Sequence, residues 1–212
     1  TKYINNDNID IKFARINITN MEDINMYIFN KKITDQVIVS NIDDAPKEMS
    51  KVAQLLYKWI LPNENAQKMR FDIEKVLGKP FDINDNNDKI SRNEFLYESA
   101  KPLAKLYSPL IDINKTHILQ EYFIPCDDEN NFIEWMKYLK RVFVVNKDKI
   151  HNINLLNITI RYVLSDDETF LRYAKKDMYA FVFYYRIDCN KKTDNKLKYI
   201  HNLLVNKTLE LG

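Results

Sequence analysis

The stretch Leu155–Asp167, LLNITIRYVLSDD, reads as a β-strand with two dissimilar faces. Side chains alternate across a strand, so Leu156, Ile158, Ile160 and Tyr162 share one side while Asn157, Thr159 and Arg161 share the other. The first side suits a core. The second sets an amide, a hydroxyl and a guanidinium in a row, so a fold built on this strand needs a sheet face that meets something polar.

Reading outward, DIKFARINI (10–18) alternates Ile11, Phe13 and then Arg15 against Lys12, Ala14 and Ile16, a half-buried strand. A second strand candidate is ITDQVIVSN (33–41). Asp43 and Asp44 ahead of Pro46 mark a helix start, and Met49, Val52, Leu55, Leu56, Trp59 and Ile60 follow at helical spacing up to Pro62. The next helix, NAQKMRFDIEKVLG, carries Met69, Ile73, Val76 and Leu77 as its expected apolar stripe and stops at Gly78. The polar segment after it is a long loop. Its DINDNND stretch lacks the glycine and terminal glutamate of a calcium-binding loop, so no metal is expected there.

THILQEYFIP (116–125) reads as a strand closed by proline, and DDENNFIEWMKYLKRVF as a helix with Asp127 and Asp128 at its start and Phe132, Ile133, Trp135, Met136, Leu139 and Phe143 along it. Beyond the quoted strand, Asp166 to Ala174 reads as a short helix or turn. MYAFVFYYRI (178–187) is a strongly apolar strand with its aromatic row in the core, and NKLKYIHNLLVNKTLEL a closing helix. This order predicts an α+β domain, an antiparallel sheet with helices packed on one face. The other face is then free, and Asn157, Thr159 and Arg161 point to it.

The 212 residues are 45% hydrophobic and 12% aromatic, enough for a real core. Thirty-two basic residues against 30 acidic ones give a net charge of +2 with no global field, so no nucleic acid partner is expected, and the basic run near residue 190 reads as a solvated face. Cys126 and Cys189 allow one disulfide at most and fit a reducing, cytoplasmic setting. The histidines His117, His151 and His201 lie in unrelated contexts and read as solvated or packing groups. No apolar run is long enough for a transmembrane segment, and both ends of the chain read as cut. The sequence holds two glycines, Gly78 and Gly212, where average usage of about 7% would give roughly fifteen. Phosphate cradles need glycines for close backbone approach, so these residues cannot build a conventional nucleotide site.

Three segments, SRNEFLY (91–97), ILQEYFIP (118–125) and NLLNITIRYVLSDDETFLRYAKKDMYAFVFYY (154–185), together resemble the substrate-side, carboxy-terminal portion of FAD-linked oxidases of the vanillyl-alcohol-oxidase type, in the sugar-lactone and alditol oxidase branch. FARINI and the final LELG extend the likeness over most of the chain. The resemblance implies a cap, or substrate, domain whose antiparallel sheet covers a flavin held by a preceding domain. On that basis residues 1–32 are the end of the flavin domain or the first strand of the cap, and 33–212 the cap, truncated at its C-terminus. It further implies FAD as the cofactor of a complete enzyme, a missing FAD-binding domain as partner, a hydroxylated small molecule as substrate, and a cytoplasmic or peripherally membrane-associated location. The fragment alone is expected to be inactive.

In alditol oxidases an arginine at the position of Arg161 belongs to a Glu-x-Arg pair, whereas here the triplet is Thr159-Ile160-Arg161 and the acid is absent. Arg161 remains available to hold a hydroxyl, a carbonyl oxygen or the charge of a reduced flavin. Glu121, expected on a neighbouring strand, is the second catalytic candidate, as proton acceptor or as the partner that fixes Arg161. Asn157 and Thr159 are expected to bind substrate, with Arg92, Asn93 and Glu94 closing over it. A non-enzymatic remnant or interaction module that keeps the cap fold is the alternative to an oxidoreductase acting on CH–OH donors.

Overall fold

The computed structural model of the chain describes residues 6–31, 63–77, 115–150, 153–170, 172 and 174–212. The strand expected at 33–41, the helix expected over 47–60, DINDNND, Arg92, Asn93, Glu94 and His151 lie outside the described residues. The described residues group into two units, 6–12 with 27–31 and 63–77, and 13–26 with those from 115 onward.

Five strands are described: β1 (Ile9–Ile16), β2 (Ile24–Asn30), β3 (Lys115–Pro125), β4 (Ile153–Val163) and β5 (Met178–Asp188). Their order is β2–β1–β4–β5–β3. The pairs β1–β4, β4–β5 and β3–β5 are antiparallel, as expected for an α+β sheet. β3 therefore does not lie beside β4, as the sequence reading had it. β5 stands between them: its run Ala180–Phe183 is apolar on both faces and buried on both, which suits a central strand.

The aromatic alternation of β5 decides which way the sheet faces. Phe181, Phe183, Tyr185 and Ile187 are buried under the helices. Tyr122 and Ile124 of β3 and Ile158 and Ile160 of β4 join them on the same side. The covering helix α2 (Glu129–Lys140) starts at Asp128, whose side chain accepts the Asn130 N–H at 2.8 Å. It continues as a π-helical turn, Arg141–Val145, that turns Val142 and Phe143 into the core. Trp135 and Leu139 are fully buried, while Ile133, read as a core position, is half exposed on the outer side.

The closing helix α3 (Lys191–Leu211) begins four residues earlier than its hydrophobic pattern suggests. Asn190 accepts the Thr193 N–H at 2.9 Å and the Thr193 side chain is buried, so the basic run at 190 becomes the helix's first turns. Leu197, Ile200 and Leu204 face the sheet. A polar tie fixes the helix to β3: the Tyr122 hydroxyl donates to Gln120 Oε1 at 2.9 Å, leaving His201 Nδ1, also 2.9 Å away, to donate to the tyrosine oxygen.

The segment linking β4 to β5 is a turn and contains no helix among its described residues. Tyr162 donates to Asp177 Oδ2 at 2.6 Å and the Ser165 N–H donates to Asp177 Oδ1 at 2.8 Å, so one carboxylate closes both ends of the connection. These bonds hold the Asp177 carboxyl below the usual carboxylate range.

In the other unit, helix α1 (Glu64–Leu77) corrects the stripe read from the sequence. Met69 and Val76 are exposed, at 51% and 86%, and the buried side holds Ala66, Phe71 and Glu74. At 100° per residue, Ala66, Arg70 and Glu74 form a row distinct from the Met69–Val76 row. Glu74 is tolerated inside because Arg70 Nε donates to Oε1 at 2.9 Å and the Tyr27 hydroxyl reaches Oε2 at 3.3 Å.

Trp135 fills the space between α2 and the sheet, so Trp135→Ala is expected to lower unfolding free energy by about 3–5 kcal/mol in urea titrations. Tyr185→Phe is expected to go the other way, a gain of about 1 kcal/mol, because the hydroxyl is buried with no protein acceptor. The free cysteines also differ. Burial, with the carboxylates of Asp177 and Asp127, pushes the Cys126 thiol up to about 11, while Cys189 is exposed. At pH 8 a mass-spectrometric alkylation time course should therefore label Cys189 roughly 100-fold faster than Cys126.

Candidate functional site

The face of β5 away from the helices carries Ala180, Val182, Tyr184 and Arg186, and the register places the neighbouring strands in rows across it. Thr159, Val182 and Glu121 form one row, with Arg15 of β1 opposite Thr159. Arg161, Ala180 and Phe123 form the next, and Asn157, Tyr184 and Leu119 the row on the other side. The quoted stretch thus delivers what its alternation promised: Asn157, Thr159 and Arg161 share a face with Glu121.

The residues differ in how they are held. Arg161 is exposed and makes no ion pair or hydrogen bond among the described residues. Its row neighbour Ala180 contributes only a methyl group and is fully buried. Asn157 and Thr159 are half-buried, and Asn157 Nδ2 donates to Thr159 Oγ1 at 3.3 Å. With its oxygen engaged, the threonine hydroxyl is left with a proton to donate.

Glu121 is exposed on β3 and no contact joins it to Arg161. Two strand spacings, about 10 Å, separate β3 from β4. The two groups therefore address different parts of the face, and the expectation that Glu121 is a next-strand partner of Arg161 is corrected by β5. Arg92, Asn93 and Glu94 fall outside the described residues.

Two features of this face escaped the sequence reading. Arg15 lies on it, 5% exposed, with its guanidinium 5.4 Å from the centre of the Phe13 ring. The signal was the Ile11–Phe13–Arg15 alternation, which set an arginine in phase with a buried stripe. At the opposite end, His117 stacks on Tyr184 with ring centres 5.7 Å apart. Burial and the nearby Arg186 guanidinium lower the His117 pKa, so this imidazole is neutral at pH 7. Burial pushes the Tyr184 hydroxyl up to about 12, which keeps it a donor.

Among the described residues no group of three or more His, Cys, Asp or Glu side chains is gathered to hold a metal ion, and no helix is long and apolar enough to cross a membrane. No protein-family model, curated protein or solved structure matches the chain.

Because Arg161 is exposed and makes no ion pair or hydrogen bond among the described residues, Arg161→Gln is expected to change unfolding free energy by no more than about 0.5 kcal/mol, measured by urea denaturation. A larger loss would assign the side chain to folding.

Proposed function

We propose that this chain supplies the substrate-binding sheet of an FAD-dependent oxidoreductase that oxidises a CH–OH group of a sugar, sugar lactone or polyol. The observation that carries the reading is the polar row Asn157, Thr159 and Arg161 on a sheet face whose reverse side is packed by α2 and α3. Side chains fixed on a central strand hold a small ligand within the narrow tolerance that hydride transfer demands.

The residues present fit the substrate side of a bound flavin and not its pyrophosphate. Gly212 is the only glycine among the described residues, so no glycine turn offers backbone N–H groups to phosphate oxygens. FAD would supply the hydride acceptor, held mainly by another segment. This chain's own residues orient the alcohol. Arg161 donates to a substrate oxygen, Thr159 donates its free proton to a second, and the Asn157 amide keeps the threonine turned that way. About 10 Å away, Glu121 meets another substrate atom, and as an exposed carboxylate it can accept the hydroxyl proton there.

Co-expression of this chain with a flavin-binding segment of the same enzyme type tests the reading. Flavin absorbance and turnover of a sugar or polyol are expected, with kcat/KM falling about 100-fold or more in Arg161→Ala. Turnover that is indifferent to Arg161, or to the presence of this chain, would sink it.

A further inference from the structure

We propose that Ser165 is the acceptor for an acidophilic serine kinase, and that a phosphate placed there opens the connection between β4 and β5. The inference does not rest on the oxidoreductase reading.

The stretch Ser165-Asp166-Asp167-Glu168 sets three carboxylates directly after a serine, just beyond the end of β4. Ser165 is exposed. Serine kinases read the charge that flanks the acceptor, so these flanks decide the class. A kinase that selects upstream cations meets Tyr162 and Val163 in the positions it reads, and a proline-directed one meets Asp166. A kinase whose cleft offers basic side chains to the residues after the acceptor meets Asp166, Asp167 and Glu168.

The three acids are not equal. Asp166 accepts the Glu168 and Thr169 N–H groups, each at 3.0 Å, and Asp167 pairs with Arg172 at 3.6 Å, so both have a part in the turn. Glu168 is exposed and its side chain makes no ion pair or hydrogen bond among the described residues. The turn accounts for two of the acids and makes no use of the third. On an exposed loop such short-range ties open at small cost, so the segment can extend in a kinase cleft.

Transfer forms a bond from Ser165 Oγ to the γ-phosphorus of ATP and breaks the bond from that phosphorus to the bridging β-phosphate oxygen. ADP leaves, and the hydroxyl proton passes to the carboxylate base of the kinase.

The product lands on the carboxylate that closes the connection. Asp177 is held ionised first by the Tyr162 hydroxyl at 2.6 Å, then by the Ser165 N–H at 2.8 Å, and more weakly by the Ser165 hydroxyl. Phosphorylation removes that hydroxyl proton and sets a charge of about −1.5 to −2 beside the carboxylate. Arg172 is engaged by Asp167 and Lys176 by Asp127, which leaves Lys175 as the one uncommitted cation among the described residues of the connection. Like-charge repulsion then drives Ser165 and Asp177 apart, and the bond from Tyr162 goes with Asp177. Tyr162 with Tyr179 and Val163 with Met178 are the last pairs of β4 with β5, next to the Arg161–Ala180 pair, so the loosened end of the sheet is the one that carries Arg161.

The test incubates this chain with ATP and a purified acidophilic kinase of the casein-kinase type and locates phosphate by tandem mass spectrometry. Phosphate on Ser165 is expected, absent in Ser165→Ala, with its rate of incorporation lowered about 10-fold in Glu168→Gln, a change outside every side-chain contact of the turn. Phosphate that avoids Ser165, or a rate indifferent to Glu168→Gln, overturns the acceptor site. Trypsin then reads the connection at Arg172 and Lys175. The phosphorylated chain is expected to be cut there at least about threefold faster than the unmodified one, as is Tyr162→Phe, which removes the same bond without adding charge. Cleavage no faster after phosphorylation overturns the opening.

Discussion

The burial of Phe181, Phe183 and Tyr185 under α2 and α3 is the constraint on which the rest of this unit depends. A strand presents alternate residues to opposite sides, so committing these three rings to the core also commits Ala180, Val182 and Tyr184 to the other face. Long antiparallel registers on both sides then carry that decision to β3 and β4. A one-residue slip in either would turn Arg161 or Glu121 into the helices, where an unpaired charge is costly to bury. The geometry of the polar face is thus held by hydrophobic contacts on its reverse, and the polar residues need contribute little to folding.

That division of labour separates the two kinds of polar group in the molecule. Tyr122, Gln120 and His201 satisfy one another inside, as do Arg70, Glu74 and Tyr27 in the other unit. Those networks exist because a buried donor or acceptor without a partner is expensive. Arg161 belongs to the second kind: exposed, anchored by the backbone of an otherwise buried strand, and without a partner among the described residues. A guanidinium held in that way is available to a ligand at no cost to an existing bond.

The elements of this sheet and its helices were legible wherever the hydrophobic period was strong. LNITIR, YAFVFYY and FIEWMKYL each carry a single clear period, and the structure puts strands and a helix there. The position of β5 between β3 and β4 was not legible, because pairing order is set by which strand can be buried on both edges, a property of the assembled sheet. The face of α1 was misread for a different reason. Hydrophobicity alone assigned Met69 and Val76 inward, whereas an Arg70–Glu74–Tyr27 network makes a polar stripe the buried one. Arg15 was visible in phase with a buried stripe, but its significance depends on Thr159 being opposite, and pairing between distant segments leaves no local mark.

The pairing of β4 with β5 breaks step once, between Leu155 and Asn157. Leu156 is the extra residue and is buried beside Leu155, which explains the doubled leucine in an otherwise alternating stretch. A bulge of this kind sharpens the local twist of the strand. The half of the face that holds Thr159, Arg161 and Glu121 is therefore rotated against the half that holds Asn154, Arg186 and His117. A flat ring system can lie flush on one half or the other and cannot lie flush on both, so the doubled leucine, itself buried and immediately ahead of Asn157, divides this surface into two differently tilted platforms.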